Sequence, residues 1–377
     1  MTQDMGWGPG AQGGPPGPPP GWGPGWGPGW GGAWMPPPPK PGVIPLRPLN
    51  LGDILGGSFA ALGRHWKQLI GMALVAYGIA ALVLGGAAAI AVASVHDHFD
   101  PVFNPDYDVN PARSDVEPLV IAGAIVVVVA IALWLLSMAL MYSAVPAVLQ
   151  DAVLGRRSTF GAVWRTSWSR FPAVLGTLAI QMGAMLAAML LFIGLLVTTV
   201  LASSGAGHDA PPAALLVLFA VGFLALIPVG IWLWVRYGFA PAAAVLENQG
   251  PVEALRRSGR LVKDAWWRTC GILMLVGMIS GVMGYFIQLP FTYGGVFAAM
   301  PLALSDDSHG AKAAAVVIMV VLYLIGMVIS QFLSTTLPQL GAGLLYIDQR
   351  IRREDLAPAL ATAAGVPPVP AGPAGTR

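Results

Sequence analysis

Long apolar runs separated by shorter polar segments make up most of the chain from Leu69 onward. The sequence before the first run opens with a Gly/Pro-rich segment. Each run meets or exceeds the roughly 20 residues that an α-helix needs to cross the hydrocarbon core of a bilayer. The pattern therefore predicts an all-α membrane protein with six transmembrane helices. The six runs are Leu69–Val95, Leu119–Leu149, Ala173–Ala202, Ala213–Leu246, Cys270–Met300 and Ala313–Ile347.

Composition agrees with a membrane protein. Of the 377 residues, 56% are apolar and only 10% are charged, whereas a soluble domain usually carries about 25% charged residues. Such a chain has too few polar groups to cover a surface in water. The single cysteine, Cys270, excludes an intramolecular disulfide and gives no basis for a thiolate metal site.

Lysine and arginine lie almost entirely on one side of the predicted helices. Of the 20 Lys and Arg residues, only Arg113 and Lys312 fall in the first, third and fifth connections between spans. Basic residues are enriched in cytoplasmic loops. The sequence therefore predicts a multi-pass protein of a bacterial plasma membrane with both termini in the cytoplasm.

Three similar basic segments precede the first, third and fifth spans. They read LGDILGGSFAALGRHWKQLIG from Leu51, TFGAVWRTSWSRFPAVLG from Thr159 and PVEALRRSGRLVKDAWWRTCG from Pro251. In each, apolar residues recur at helical spacing opposite basic residues, which predicts an amphipathic helix lying in the membrane interface. The alternatives are helices that only pack under the bundle as caps, or a surface dedicated to one lipid or partner.

The even-numbered spans also end alike. Pro146, Pro241 and Pro338 each lie near the cytoplasmic end of their span, and proline removes a helical hydrogen bond, so each helix is expected to kink there. The predicted architecture is three repeated units, each an interfacial amphipathic helix followed by a helical hairpin. A constant offset of 200 residues relates Ser58 to Ser258 in the first and third units.

The interfacial helices supply the candidate contact residues. Tryptophan rings settle at headgroup depth while Arg and Lys attract anionic lipid, so membrane lipids with anionic headgroups are the expected partners at the inner face. No nucleic-acid partner is expected, and the oligomeric state is left open. The candidate lipid or partner contacts are Trp66, Arg156, Arg157, Trp164, Trp168, Arg256, Arg257, Arg260, Lys263, Trp266 and Trp267.

Two tails flank the predicted membrane domain of residues 47–356. Residues 1–46 and 357–377 are predicted to be disordered, the first because Gly and Pro dominate it. Its segment GWGPGWGPGWGGAW, from Gly21, places a Trp every four residues, which suits contact with the bilayer, self-association or a protein partner. The nearby MPPPPKP suits a groove that binds Pro-rich ligands. A linker without a selected role is the remaining alternative.

Three motifs give the chain a family resemblance. RPLNLGDILGGSF, GPVEALRRSGRLVKDAWWR and LLYIDQRIRRED, in this order, resemble bacterial integral membrane proteins described as similar to the membrane domain of glycerophosphoryl diester phosphodiesterase. The resemblance covers about residues 43–357 and implies a six-span helical domain. The soluble catalytic barrel that some members carry does not follow residue 357, so the hydrolase activity does not carry over.

The sequence contains few residues in patterns typical of catalysis or cofactor binding. It contains no phosphate-binding P-loop, no G-x-S-x-G elbow and no H-E-x-x-H motif, and no ionisable pair lies within a span, so we expect neither an enzyme nor a cofactor. His96 and His98, with nearby Asp residues and with His208 and His309 in the other outer loops, raise the alternative of a divalent-metal site. Acidic outer loops are common solvated surfaces, and no metal ligands are assigned.

These patterns favour a non-enzymatic scaffold or accessory protein that contacts lipid or partners through its cytoplasmic tail and interfacial helices. The alternative is a transporter or lipid-handling protein with a pathway between the three hairpins. A transporter needs a polar route or a midplane cavity, and the spans carry few polar residues to line one.

Overall fold

A computed structural model describes residues 40–99, 102, 112–205, 212–304 and 309–365. Most of these residues are helical, and none of them forms a strand. The helices are α1 Leu51–Arg64, α2 Trp66–Ala73, α3 Ile79–Val95, α4 Arg113–Val153, α5 Phe160–Gly205, α6 Pro212–Tyr237, α7 Ala240–Leu246, α8 Pro251–Val262, α9 Trp266–Ala303, α10 His309–Glu354 and α11 Leu356–Ala363. A π-helical turn, Leu74–Gly78, joins α2 to α3, and 3₁₀ turns follow α3 at His96–His98 and α8 at Lys263–Ala265.

Six helical stretches are long and apolar enough to cross a membrane, which confirms the predicted number. Large apolar side chains stay exposed along them; Leu82, for example, is 78% exposed. Such a surface is typical of a helix bundle surrounded by lipid. The six stretches are Trp66–His98, Arg113–Val153, Phe160–Leu201, Phe219–Leu246, Pro251–Ala303 and Gly310–Glu354.

The buried core lies at one end of the bundle, where α1, α7, α8 and the C-terminal halves of α4 and α10 meet. Phe239 and Tyr346 are fully buried there, with ring centroids 6.0 Å apart in an edge-to-face arrangement. We call this the core end of the bundle. By sequence it is the end that carries most of the basic residues.

Helix α1 begins as the sequence predicts. The Asn50 side chain accepts a hydrogen bond from the Asp53 backbone, and the Asp53 side chain accepts one from the Asn50 backbone, which completes a capping box. The helix packs on α10 through a stripe of smaller residues, because Gly57 allows close approach to Ile44 and Leu344. The larger Phe59, on the predicted apolar face, stays exposed. Leu55 and Leu62 pack partly against the core, so only part of the apolar face of α1 is exposed.

The three predicted interfacial segments join their spans differently. The first, α1, is separated from α2 by His65 alone, and the third, α8, is followed by the 3₁₀ turn. The second is continuous with its span in the 46-residue helix α5. Because the three junctions differ, the repeated unit stays a prediction.

The prolines also behave differently from one another. Pro241 lies in the first turn of α7, after the break at Gly238 and Phe239 that ends α6, so the expected interruption is present. Pro146 and Pro338 lie inside α4 and α10, which continue through them.

The packed part of the chain extends slightly beyond residues 47–356. Val43 and Ile44 are buried, and α11 packs Leu356 and Leu360 against the core. Of the predicted tails 1–46 and 357–377, residues 1–39 and 366–377, with the tail tryptophans, lie outside the described residues.

We expect Gly57→Leu to destabilise the protein by about 1–3 kcal/mol, because the added side chain meets Ile44 and Leu344 where a Cβ atom alone already lies 2.9 Å from both. Gly56→Leu is the matched control, since a Cβ there meets nothing within 4 Å. Denaturation of the two variants in detergent micelles measures the difference, and equal stability would show that α1 is not docked through Gly57.

Candidate functional site

A buried carboxylate ties three distant segments together at the core end. Asp348, fully buried in α10, accepts hydrogen bonds from the Leu49 backbone at 2.7 Å, from Arg268 at 2.6 Å and from Arg352 at 2.9 Å. Both guanidinium groups also donate to the Leu49 carbonyl at 2.9 Å. We call these four residues the Asp348 clamp. They lie within or beside the three motifs that carry the family resemblance.

A second ionic network lies beside the clamp. Glu247 accepts two hydrogen bonds from Arg257 Nε, at 3.1 and 3.2 Å, and a third from its terminal nitrogen at 3.0 Å. Arg257 also donates to Glu354 at 2.7 Å, and Arg350 donates to the same carboxylate at 2.9 Å. The Tyr346 hydroxyl donates to Glu247. This Glu247 network joins the loop after α7 to α8 and to the end of α10.

The Glu247 network determines the role of one predicted contact residue. Arg257 is engaged with two carboxylates and is only partly exposed, so its interactions here are structural rather than with lipid. We did not predict the three acids of these networks, Asp348, Glu247 and Glu354, because they have arginine partners that are far away in sequence. A local signal was present: Asp348 with Arg352 and Arg350 with Glu354 are spaced four residues apart in a helix.

The neighbouring basic residues line an open cavity. Arg256, Arg260 and Lys263 are exposed and, with Arg236 from the end of α6, surround a cavity of about 910 Å³ between α5, α6 and α8. Glu253 is the one acidic residue among its lining residues. We call this cavity the Arg236 pocket. Within the described residues, none of its four cationic side chains forms an ion pair.

Aromatic rings hold the Arg236 side chain in place. Its guanidinium carbon lies 4.9 Å from the centroid of the Trp232 ring and 5.9 Å from that of Tyr237. The guanidinium lies close to α8 at Gly259, where a Cβ would be 3.5 Å from Arg236 Nε. That nitrogen is buried and has no hydrogen-bond partner in the described part of the chain.

The predicted tryptophans occupy two kinds of position. Phe160, Trp164, Trp168 and Phe171 form a stacked row along α5, with successive centroids 6.3, 5.6 and 5.5 Å apart. Trp168 is 58% exposed and Trp267 is 82% exposed, whereas Trp266 packs partly against the core. Trp66 is half exposed and lies under the Lys67 ammonium.

The remaining predicted arginines lie at the junction between α4 and α5. Arg156 donates to the backbone carbonyl of Ala363 in α11 at 3.0 Å. Arg157 is exposed and lines a cavity of about 490 Å³ beside Arg64 and Lys67. All the predicted contact residues thus lie at the core end, but they divide among a structural network, an aromatic row and two basic cavities.

The cavity beside Arg157 contains a buried histidine. His65 Nδ1 lies 2.8 Å from the Ser158 hydroxyl, and its Nε2 has no partner among the residues described. Burial lowers the pKa of His65 below its ordinary value; the nearby Arg64 lowers it further, and Asp151 opposes both. The imidazole is therefore kept neutral at pH 7.

At the other end of the bundle, the described side chains of His96 and His98 each pair with one aspartate. His96 lies 3.0 Å from Asp97, and His98 lies 3.3 Å from Asp115. Over the described ranges, no group of three His, Cys, Asp or Glu residues is arranged to hold a metal ion. His208 and the third-loop acids Asp306 and Asp307 fall outside those ranges.

A smaller cavity lies between the spans. It has a volume of about 230 Å³ and is lined by residues of α4, α5, α6 and α10, among them Tyr142, Gln181, Tyr237 and Gln339. The amide nitrogen of Gln181 is buried without a hydrogen-bond partner in the part of the chain described. The sequence did not indicate this cavity, because its polar residues are distributed over four separate helices.

We expect Asp348→Asn to lower the free energy of unfolding by about 3 kcal/mol, because it leaves two guanidinium groups without their buried counter-charge. Asp264→Asn is the control: it breaks the exposed pair with Arg353, and such pairs contribute about 0–1 kcal/mol. Chemical denaturation in micelles measures both. Similar small losses in the two variants would contradict a stabilising role for the clamp.

We expect stability to fall as the pH drops below about 6.5, the ordinary histidine pKa. The unfolded chain takes up a proton there, while the folded chain resists protonation because the pKa of His65 is lowered. His65→Gln should reduce this acid sensitivity, and His96→Gln, which changes an exposed residue at the other end, should not. Melting temperatures from pH 7.5 to 5.5 provide the measurement; identical profiles for wild type and His65→Gln would contradict the assignment.

Comparison with known proteins identifies a family. A domain of unknown function, DUF7847, matches residues 71–344. No curated protein and no solved structure matches the chain, and the family match provides no link to the membrane domain of glycerophosphoryl diester phosphodiesterase. The match covers well over half of the sequence and leads to one conclusion: the chain belongs to the DUF7847 family, a family of unknown function.

Proposed function

We propose that the protein is a non-enzymatic membrane scaffold or accessory protein that binds anionic phospholipid at the core end. In this proposal the core end faces the cytoplasm, as the distribution of Lys and Arg predicts. Partner proteins would be bound through the Pro- and Trp-rich N-terminal segment, which lies outside the described residues.

One observation carries the proposal: the basic residues at the core end divide into two groups. Arg257, Arg268 and Arg352 have carboxylate partners. Arg256, Arg260 and Lys263, within the described ranges, have none and are exposed. Cations beside an apolar surface attract anionic headgroups, with a contribution of about 1 kcal/mol for each Lys or Arg near the surface.

Exposed tryptophans support the same conclusion. Trp66, Trp168 and Trp267 remain exposed at the core end, although burial would be the default for such large rings in a soluble protein. The amphipathic indole ring is favoured at the level of lipid headgroups. Exposed rings and unpaired cations together suit a surface in contact with the headgroup region.

The contact between His65 and Ser158 resembles the histidine–serine pair of a hydrolase, but the described residues supply no acid to complete a catalytic triad. In a hydrolytic triad the histidine nitrogen that faces away from the serine is oriented by an acid. His65 Nε2 has no such partner among the described residues, and Arg64 lies close enough to lower its pKa. These features favour a structural role and support the non-enzymatic proposal.

A second candidate function, transport or lipid handling, is favoured by the cavity between the spans. Its polar lining includes Tyr142, Gln181 and Gln339, and Gln181 has an amide nitrogen without a partner within the described ranges. At about 230 Å³ it suits a few waters or one small polar solute. The unpaired cations at the core end have no role in that alternative, so lipid binding is preferred.

We expect phosphatidylglycerol to raise the melting temperature of the detergent-solubilised protein by several degrees, and phosphatidylcholine to raise it less, because binding to the folded state stabilises it. The difference should shrink at 0.5 M salt, where the Debye length is only a few ångströms. Replacing Trp66 and Trp168 together with Leu should reduce the shift, whereas Trp134→Leu within the α4 span should not. Equal shifts with both lipids would contradict the proposal.

A further inference from the structure

We propose that the Arg236 pocket is a binding site for one anionic phospholipid, whose phosphate is bound by Arg236, Arg260 and Lys263. This inference rests on the proposed function and assigns it a defined site. It differs from general attraction to a charged surface, because a defined site binds its first lipid more tightly than the others.

The position of Arg236 is fixed before any ligand binds. Trp232 and Tyr237 hold the guanidinium by cation–π contacts. The Arg236 carbonyl accepts a hydrogen bond from the Ser258 hydroxyl at 2.8 Å, which fixes the end of α6 against α8. The Ser258 hydroxyl in turn accepts a hydrogen bond from the Phe239 backbone at 3.2 Å. A guanidinium that is already oriented loses less entropy when it binds an anion.

The pocket has donors that the described residues do not satisfy. Arg236 Nε is buried without a partner in the described residues, and a buried donor without a partner is costly. Phosphate oxygens are suitable acceptors, because guanidinium groups bind phosphate through two parallel hydrogen bonds. Glu253, the one acid among the lining residues, is engaged at the start of α8 as an acceptor for the Gly250 backbone.

The two consecutive arginines of α8 differ in their partners: within the described residues, the one that lines the pocket has no carboxylate partner and the other has two. Arg256 lines the Arg236 pocket, whereas Arg257 points to Glu247 and Glu354. Successive helical residues are about 100° apart around the axis, so α8 presents a neutralised face to the protein and a cationic face to the pocket. The cationic face is available to bind an external anion.

An adjoining apolar cavity indicates the rest of the ligand. It has a volume of about 400 Å³, shares Arg236, Gly259 and Lys263 with the pocket, and is walled by Trp232, Trp266 and Trp267. Trp266 Nε1 is a buried donor without an acceptor in the described part of the chain. A ligand that fills both cavities has a negative group at one end and an apolar body at the other. A phospholipid meets this requirement, whereas a free phosphate fills the polar cavity alone.

The charge of the pocket also selects the headgroup. Four cationic side chains surround the site with one carboxylate, so a headgroup with its own positive charge, such as choline, is repelled. A net anionic lipid such as phosphatidylglycerol is preferred.

The test counts lipids bound to the full chain by native mass spectrometry in a non-ionic detergent, with phosphatidylglycerol as the probe. We expect Arg236→Gln/Arg260→Gln to weaken binding of the first lipid at least about tenfold, since each charge-assisted hydrogen bond lost corresponds to roughly that factor. Arg47→Gln/Arg165→Gln is the control: it removes the same charge from two exposed residues that do not line the pocket and should leave binding of the first lipid unchanged.

A second variant keeps every charge and fills the space. A Cβ at position 259 would be 3.5 Å from Arg236 Nε, so Gly259→Leu places a larger side chain at the boundary of the two cavities. Gly259→Leu should weaken binding of the first phosphatidylglycerol as strongly as Arg236→Gln/Arg260→Gln does. Melting curves without added lipid establish that each variant is folded.

Two results would overturn the inference. The first is unchanged binding of the first phosphatidylglycerol in both pocket variants. The second is displacement of that lipid by millimolar inorganic phosphate, together with no effect of Trp266→Ala/Trp267→Ala, since the site would then be one for a free anion. In either case stabilisation by phosphatidylglycerol would persist if the general proposal is correct, so the two failures are distinguishable.

Discussion

The buried carboxylate of Asp348 constrains the geometry of the core end. A charge removed from water is tolerated only when it is paired and hydrogen-bonded, and Asp348 obtains its partners from Leu49, Arg268 and Arg352. The entry to α1, the first turn of α9 and the end of α10 must therefore come together in the folded chain. The same guanidinium groups bind the Leu49 carbonyl, so a backbone segment is held at both its donor and its acceptor. In contrast, the described parts of the spans away from the core end expose many large apolar side chains.

The acids at the core end divide the basic residues by function. Asp348, Glu247 and Glu354 neutralise the arginines that face the protein, and this leaves the opposite face of α8 with cations that the described residues do not neutralise. The stability of the core end and the proposed lipid binding therefore depend on each other. The Glu247 network holds α8 in the orientation that presents Arg256 and Arg260 to the pocket. Loss of that network would displace the pocket as well as destabilise the bundle.

The sequence predicts those features that depend on short-range pattern. The six apolar helices, the capping box at Asn50 and the concentration of basic residues at one end all follow from composition and spacing within a few turns. The Asp348 clamp does not follow from such patterns. Leu49 and Asp348 lie near opposite ends of the domain in sequence, and no local pattern relates them. Periodicity identified only part of the docking face of α1: Leu55 and Leu62 pack against the core, but Phe59 stays exposed and α1 also approaches α10 closely at Gly57. The second interfacial segment was expected to precede the span as a helix of its own, but α5 continues into the span even though Pro172 lies at the junction.

The offset of 200 residues between the first and third basic segments shows how one position can create a site. Ser58 and Ser258 are both buried, but only Ser258 bonds to another helix; the Ser58 hydroxyl donates to the carbonyl of Ile54 in its own helix. One residue further on, the first segment has Phe59 and the third has Gly259. The ring of Phe59 stays exposed on α1, whereas the absence of a side chain at Gly259 leaves space for the guanidinium of Arg236 beside α8. Two helices with similar sequences thus present different surfaces at the same end of the bundle: α1 an apolar face suited to lipid chains, and α8 a cationic recess suited to a phosphate.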